Sequence, residues 1–137
     1  MVTEMKAFEE RKVEDAGRTA VNDLKYVTSQ LGYSLMHNVN IHSLFDNRSE
    51  KICDVLVVAH NNALKVANFP SVYLDKSNAK MHVALVCYDD TTACNVYLIP
   101  VKKVKIDKKN QMGVIKVASK EKMDKYSFGN TIKGLSA

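Results

Sequence analysis

The stretch from Lys51 to Ser71 reads KICDVLVVAHNNALKVANFPS and holds one acid, Asp54, in an apolar run. A turn follows, then Lys65 and Ala67, two residues apart and so on one face if they sit on a strand. Chemistry built on a strand-borne acid wants a second carboxylate and a lysine at that spacing. A lysine and an alanine stand there instead, and they leave Asp54 to cap a turn or to pair with Lys65. Two unit charges 4 Å apart attract by about 4 kcal/mol at an effective dielectric near 20, before desolvation. Asp75 and Lys76, in YLDK, are the next acid and base along the chain. His37 and His42 lie near a loop and His60 in a turn, with no nucleophile marked by a motif. The five glycines are scattered and form no phosphate-binding loop. Cys53, Cys87 and Cys94 sit in or beside apolar runs without CxxC spacing. They read as buried, reduced thiols and not as zinc ligands.

The elements that must position these residues follow from periodicity. Val13, Ala16, Ala20, Val21, Leu24, Val27 and Leu31 recur at spacings of three and four, which predicts an amphipathic N-terminal helix. Thr3 is its expected N-cap, Gly17 an interior weak point, and Gly32 the C′ residue that takes a positive φ. Residues 33–39 form a short strand. Residues 52–59 form the most apolar strand, buried on both faces as a central strand is. His60-Asn61-Asn62 supplies turn chemistry for a tight hairpin, because asparagine tolerates the left-handed conformation. Residues 64–69 then alternate, with Leu64, Val66 and Asn68 on one face and Lys65, Ala67 and Phe69 on the other. A loop leads to strands over 81–88 and 94–101, with Pro100 marking an edge or terminus. Short extended pieces over 104–106 and 114–118 flank the turn DKKNQMG, and Ser119 caps a final helix. The order predicts an α/β (α+β) domain: N-terminal helix, a central mixed β-sheet of about five strands, C-terminal helix.

Charge is placed unevenly. Residues 1–100 carry ten Lys or Arg against twelve Asp or Glu, whereas residues 101–137 carry ten lysines against three acids. The chain therefore reads as one domain over 1–137 with a basic C-terminal segment, 101–137. Clustered cations of this kind can track phosphates in a salt-dependent way. None is arginine, which argues against bidentate base readout. With 46% hydrophobic and 26% charged residues the composition is globular. The N-terminus is too charged for a secretion signal, and no apolar run approaches the ~20 residues of a membrane span. A cytoplasmic protein is expected.

Four anchors carry a resemblance: GRTAVNDLKYVTSQLGY for the helix, ICDVLVV for a first core strand, LKVANFPS for a second, and VALVCYDDTTACNVYLIPV beyond. Together, over roughly two thirds of the chain, they resemble the PD-(D/E)XK nuclease superfamily, in its small Holliday-junction-resolvase-like members. The resemblance implies a restriction-endonuclease-like fold. It also implies a strand acid and an acid of an E-x-K or Q-x-K element that hold Mg²⁺ or Mn²⁺, with the lysine steadying the phosphate. Carried over, Asp54 matches the strand acid, Lys65 falls where Glu or Gln belongs, and Ala67 where the lysine belongs. The helix acid falls around Val21 or Asn22, with Asp23 one step away.

No catalytic set is intact, and no metal site or cofactor is expected. The sequence points first to a catalytically inactive nuclease-like domain, a pseudoenzyme. It would bind nucleic acid, its partner, through Lys65, Lys102, Lys103, Lys105, Lys108, Lys109 and Lys116. One alternative is a small protein-interaction factor of a virus or mobile element that antagonises or adapts a host machine, acting on a protein partner or as a homodimer. Exposed apolar residues on the strand over 94–101 would favour it through edge pairing. The other alternative is an active, Mg²⁺- or Mn²⁺-dependent nuclease in which Asp75 and Lys76 replace the lost groups.

Overall fold

The strand over residues 81–89 has no polar side. Met81–Tyr88 reads MHVALVCY, and every residue from Met81 to Cys87 is buried. A strand apolar on both faces needs a covering layer above and below, and the chain supplies two different ones. In the computed structural model, which describes residues 18–38, 41–90 and 92–136, the strands are β1 (Ser34–Asn38), β2 (Ile41–Phe45), β3 (Lys51–Asn61), β4 (Val66–Pro70), β5 (Met81–Asp89), β6 (Thr92–Pro100), β7 (Lys105–Asp107) and β8 (Met112–Lys116). Helix α1 occupies residues 18–30, α2 is Lys120–Met123 and α3 is Phe128–Ser136. The protein is α+β, as its sequence predicts.

Five strands form a mixed sheet in the order β1-β2-β3-β5-β6. The first three make an antiparallel meander, β3 and β5 run parallel, and β6 returns antiparallel to β5. On one face α1 and α3 cover the sheet. Ala20 and Leu24 of α1 and Phe128 and Ile132 of α3 pack with Leu44, Cys53, Val55, Ala84, Val86 and Leu98. On the other face lies a second sheet, β4-β8-β7, all antiparallel. Its inward residues Ala67, Phe69 and Ile115 meet Val83, Leu85, Tyr97 and Ile99. The layers are thus helices, five-stranded sheet, three-stranded sheet.

Two expectations about connectivity need correction. Residues 64–69 do not fold back on β3 as a hairpin: β4 pairs with β8 in the other sheet, and the neighbour of β3 is β5. The alternation holds over β4, with Ala67 and Phe69 inward, while Leu64 and Lys65 precede the strand and are both exposed; alternation fixes a face and not a partner. The turn after β3 uses asparagine chemistry without a left-handed residue. The Asn61 side chain accepts from the Ala63 N–H at 2.9 Å, and among the described residues the non-glycine positions with positive φ are Ser49, Asp90 and Gln111. The final helix is also interrupted. A 3₁₀ turn, Asp124–Tyr126, separates α2 from α3, and the chain passes the free edge of β6 there, where Tyr97 bridges Ser127. This wrap shields an edge strand. It also answers the expected apolar exposure over 94–101, because Tyr97, Leu98 and Ile99 are buried.

The described part of the N-terminal helix buries Ala20 and Leu24, but Thr28 completes the line and Leu31 is exposed. Thr28 tolerates burial because its hydroxyl donates to the Leu24 carbonyl at 2.5 Å. Gly32 follows with φ 83°, as a C′ glycine should. Thr3, Val13, Ala16 and Gly17 lie outside the described residues, as does the Cys94 side chain. Among the described residues no helix is long and apolar enough to cross a membrane.

Gly113 is fixed by packing. It stands opposite Phe69 across the β4–β8 ladder, and a Cβ there would lie 2.4 Å from the Phe69 ring. Since Phe69 is itself buried, the ring has nowhere to go. Gly113→Ala should therefore destabilise the fold by about 1–3 kcal/mol. Adding Phe69→Leu should recover part of that loss, a coupling visible as non-additive urea midpoints across the four variants.

Candidate functional site: a committed acid and a lysine face

Asp54 sits on the β3 face that carries the second sheet, close to where β3 and β5 begin their parallel pairing. It is buried, and its carboxylate is fully engaged. Oδ1 accepts from Lys51 Nζ at 2.6 Å and from Ser43 Oγ at 3.0 Å, and Oδ2 accepts from Asn78 Nδ2 at 2.9 Å. Asn38 Nδ2 donates in turn to Ser43 Oγ at 3.4 Å. The backbone joins in, with the Asp54 N–H donating to the Lys80 carbonyl. One carboxylate thereby ties β2, β3 and the crossover loop before β5 together. Burial by itself would raise its pKa. The hydrogen bonds from Lys51, Asn78 and Ser43, with the Lys51 charge, outweigh burial and hold it below the ordinary value of 3.8.

The expected ion pair therefore forms with a different lysine. Lys51, three residues before Asp54, takes the place predicted for Lys65. Lys65 follows the far end of β3, seven residues beyond Asp54 in an extended strand and so roughly 20 Å away. There its carbonyl accepts from the Val117 N–H at 2.8 Å, and its side chain is exposed. Ala67 is buried under the second sheet. Asp54, Lys65 and Ala67 are not brought together.

The proposed substitutes are also committed elsewhere. Asp75 is exposed and accepts from the Ser77 N–H at 3.0 Å and the Ser77 hydroxyl at 2.6 Å, bonds that lower its pKa. Lys76 Nζ donates to the carbonyls of Val101 and Val104, around the 3₁₀ turn Val101–Lys103. Asp23, on α1, accepts from the Tyr88 hydroxyl at 2.6 Å, and this bond pins the helix to β5.

The histidines and Cys53 are structural as well. His60 Nε2 lies 3.0 Å from the Leu64 carbonyl and His82 Nδ1 lies 3.1 Å from that of Lys80. A carbonyl only accepts, so those nitrogens carry the protons. Burial lowers both pKa values. His37 and His42 meet edge to face across β1 and β2, their centroids 5.1 Å apart. Burial, then His37, then Lys25 lower the pKa of His42. Burial and the Asp54 charge push the Cys53 thiol up to about 12, which makes it a poor nucleophile. A polar cleft of about 430 Å³ at the end of α1 includes Asp46, Arg48 and Glu50. The Asp46 carboxylate is already used by the Arg48 and Glu50 N–H groups. Among the described residues no group of three or more His, Cys, Asp or Glu is placed to hold a metal ion.

The lysines, in contrast, do converge. Lys105 on β7 and Lys116 on β8 are exposed and point outward from the second sheet, opposite the inward Ile115. Val66↔Lys116 is a cross-strand pair, so Lys65, exposed just before β4, falls opposite Val117, which packs on the inward side. Lys102 and Lys103 lie in the 3₁₀ turn just before β7, at the same end of the sheet. Lys108 and Lys109 occupy the β7–β8 turn at the other end, where the Asp107 carboxylate is taken up by Asn110. These side chains are exposed. What sequence alone missed is the carrier: a short sheet, assembled from β4 and a β7–β8 hairpin far from it in sequence, turns Lys105 and Lys116 outward and has Lys102, Lys103, Lys108 and Lys109 at its two ends.

No known family, no curated protein and no solved structure matches this chain.

Two pH effects follow. The Asp54 pKa is lower in the folded chain, so its stabilisation is present above about pH 4 and is lost as pH falls through the folded value. Asp54→Asn should cost about 1–3 kcal/mol at pH 7, with the gap to wild type closing below pH ~4 in urea melts. His42, His60 and His82 are also depressed, so the unfolded chain takes up protons first as pH falls below about 6.5. Stability should therefore drop as pH falls below ~6.5. The slope should flatten in His60→Gln/His82→Gln when each protein is referred to its own value at neutral pH.

Proposed function

We propose that this protein is a non-catalytic, nuclease-like domain that binds nucleic acid through the lysine face of its second sheet. The observation that carries the reading is the gathering of Lys102, Lys103, Lys105, Lys108, Lys109 and Lys116 on and around β7 and β8, with Lys65 exposed just before β4. A basic face held on a rigid sheet offers phosphates several cations without reorganisation, and such contacts position a duplex or strand without reading its sequence. The kinship with PD-(D/E)XK nucleases draws support from the element order: a helix, then a mixed sheet whose β3 carries an acid. The absence of catalysis draws support from the state of that acid, which spends its carboxylate on Lys51, Ser43 and Asn78. The buried thiol of Cys53 suits a cytoplasmic setting.

A second reading, the protein-interaction factor, is favoured by a separate observation. Leu64, Val66, Val72 and Tyr73 are exposed apolar residues along and just beyond β4, the edge strand of the second sheet.

The test is a gel shift and cleavage assay on labelled DNA, with and without Mn²⁺, at low and moderate salt. A shift that weakens steeply with salt, no cleavage, and unchanged binding by Asp54→Asn is the expected result. Metal-dependent cleavage abolished by Asp54→Ala would restore the enzyme reading. Neither shift nor cleavage would leave the β4 edge and a protein partner as the better account.

A further inference from the structure

The edge strand of a sheet leaves a row of backbone groups without partners, and the β4–β8 ladder shows which ones β4 leaves. The Val117 N–H donates to the Lys65 carbonyl at 2.8 Å and the Ser71 N–H to the Gln111 carbonyl at 3.1 Å, in register with Val66↔Lys116 and Pro70↔Met112. In an antiparallel pair, successive residues turn their N–H and C=O alternately toward the partner and away from it. Ala67 and Phe69 therefore bond β8, while Val66 and Asn68 each turn an N–H and a C=O to the open side of β4. Pro70 offers a carbonyl alone. Among the described residues no strand pairs with that side. The β6 edge of the larger sheet, in contrast, is bridged at Tyr97 by Ser127.

These groups select the kind of ligand. A phosphate only accepts, and would leave the Val66 and Asn68 carbonyls unanswered. Another extended chain answers donors and acceptors together. The side chains around the edge add to this. Leu64 and Val66 are exposed at its start and Val72 and Tyr73 beyond Pro70, apolar surface that an added strand would cover. Lys116 stands across from Val66 on β8, and Lys65 is exposed just before β4. Neither has an acidic partner among the described residues. Lysine and proline on an edge oppose pairing with a second copy, which would bring its own Lys65 and Lys116 to the contact. For a strand that carries carboxylates the same two lysines are attractive.

Resting on the second reading above, that of a protein-interaction factor, we propose that the open edge of β4 takes an extended, acidic segment of a partner protein as an added strand. The backbone of that segment bonds Val66 and Asn68, its carboxylates face Lys65 and Lys116, and its apolar side chains lie against Val66, Val72 and Tyr73. Because Pro70 ends the ladder, the bonded stretch is short and the side chains supply the discrimination.

The experiment uses a pair of fluorophore-labelled peptides of about nine residues. One alternates valine and threonine between flanking glutamates, and the other has lysines in place of the glutamates. Binding is read by anisotropy, and the backbone contact by amide hydrogen exchange resolved per residue by NMR. In the free chain the Val66 and Asn68 amides should exchange at least about tenfold faster than those of Ala67 and Phe69. At saturation the acidic peptide should slow both by about tenfold or more, and it should bind about tenfold more tightly than the lysine peptide. Lys116→Glu should weaken it about fivefold, and Lys65→Glu in the same direction, both at exposed side chains that the core does not need. Equal protection of Val66 and Asn68 by both peptides overturns the acidic partner and leaves the protein-interaction reading in place. Protection that appears without peptide as the chain is concentrated overturns the proposal in favour of a second copy. An acidic peptide that binds while both amides stay unprotected sits on the lysines alone, and the added strand is wrong. No binding of either peptide, with no self-association, removes both the proposal and the reading beneath it.

Discussion

The parallel pairing of β3 with β5, both apolar on their two faces, is the constraint from which the rest of the architecture follows. Residues from Met81 to Cys87 are buried along both sides of the strand, and no single layer can satisfy that. Helices answer on one side. On the other side the chain uses a small sheet, and a small sheet has only one face to give: Ala67, Phe69 and Ile115 go inward, so what lies between them in sequence goes out. Lys116 is outward because Ile115 is inward. The outward lysines are in this sense a by-product of covering the core, placed at positions that packing leaves free, on a face that also carries Asp107.

The parallel arrangement also explains the work done by Asp54. Parallel neighbours need a long crossover, here residues 62–80, which leaves to build β4 and must come back beside the start of β3. A return loop over a sheet face carries polar groups that need partners. Asp54 supplies them, drawing Asn78 of the loop, Ser43 of β2 and Lys51 of its own strand onto one carboxylate. Lys76 fastens the same loop from its other side, giving its ammonium protons to the carbonyls around Val101–Val104. Acid and base in this loop region thus act as two staples of one crossover, and their charges are consumed locally.

Much of this was legible from short-range pattern. The period of Ala20 and Leu24, the two-sided burial of β3, the alternation of Ala67 and Phe69, and the extended pieces on either side of DKKNQMG are all local signals. The partners were not. An asparagine turn after an apolar strand serves a hairpin and a departing chain alike, and here the Asn61 side chain merely bonds the Ala63 N–H. That β4 pairs with β8 is a non-local choice, settled by which apolar face can cover Val83 and Leu85. The lysine opposite Asp54 was misassigned for the same reason, because Lys65 is near it only if the hairpin forms. Lys51, three residues away on the same strand, needs no such assumption, and its closeness in sequence is the available clue. Thr28 was hidden because a hydroxyl that returns to its own helix behaves as an apolar group.

The two charged features of the molecule differ in the one property that separates structural from functional charge, which is whether the charge has been neutralised at home. Asp54 is buried, with an ammonium at 2.6 Å and two further donors, and the folded state gains from keeping it ionised. The lysines of the second sheet stand exposed and clustered, on positions where the fold asks only for a residue that does not pack inward. Clustered like charges repel and add nothing to the stability of the chain that carries them. On the β7–β8 hairpin the Asp107 carboxylate is turned to Asn110, so these lysines are left unneutralised by it, the feature on which the proposed contact with an external polyanion rests.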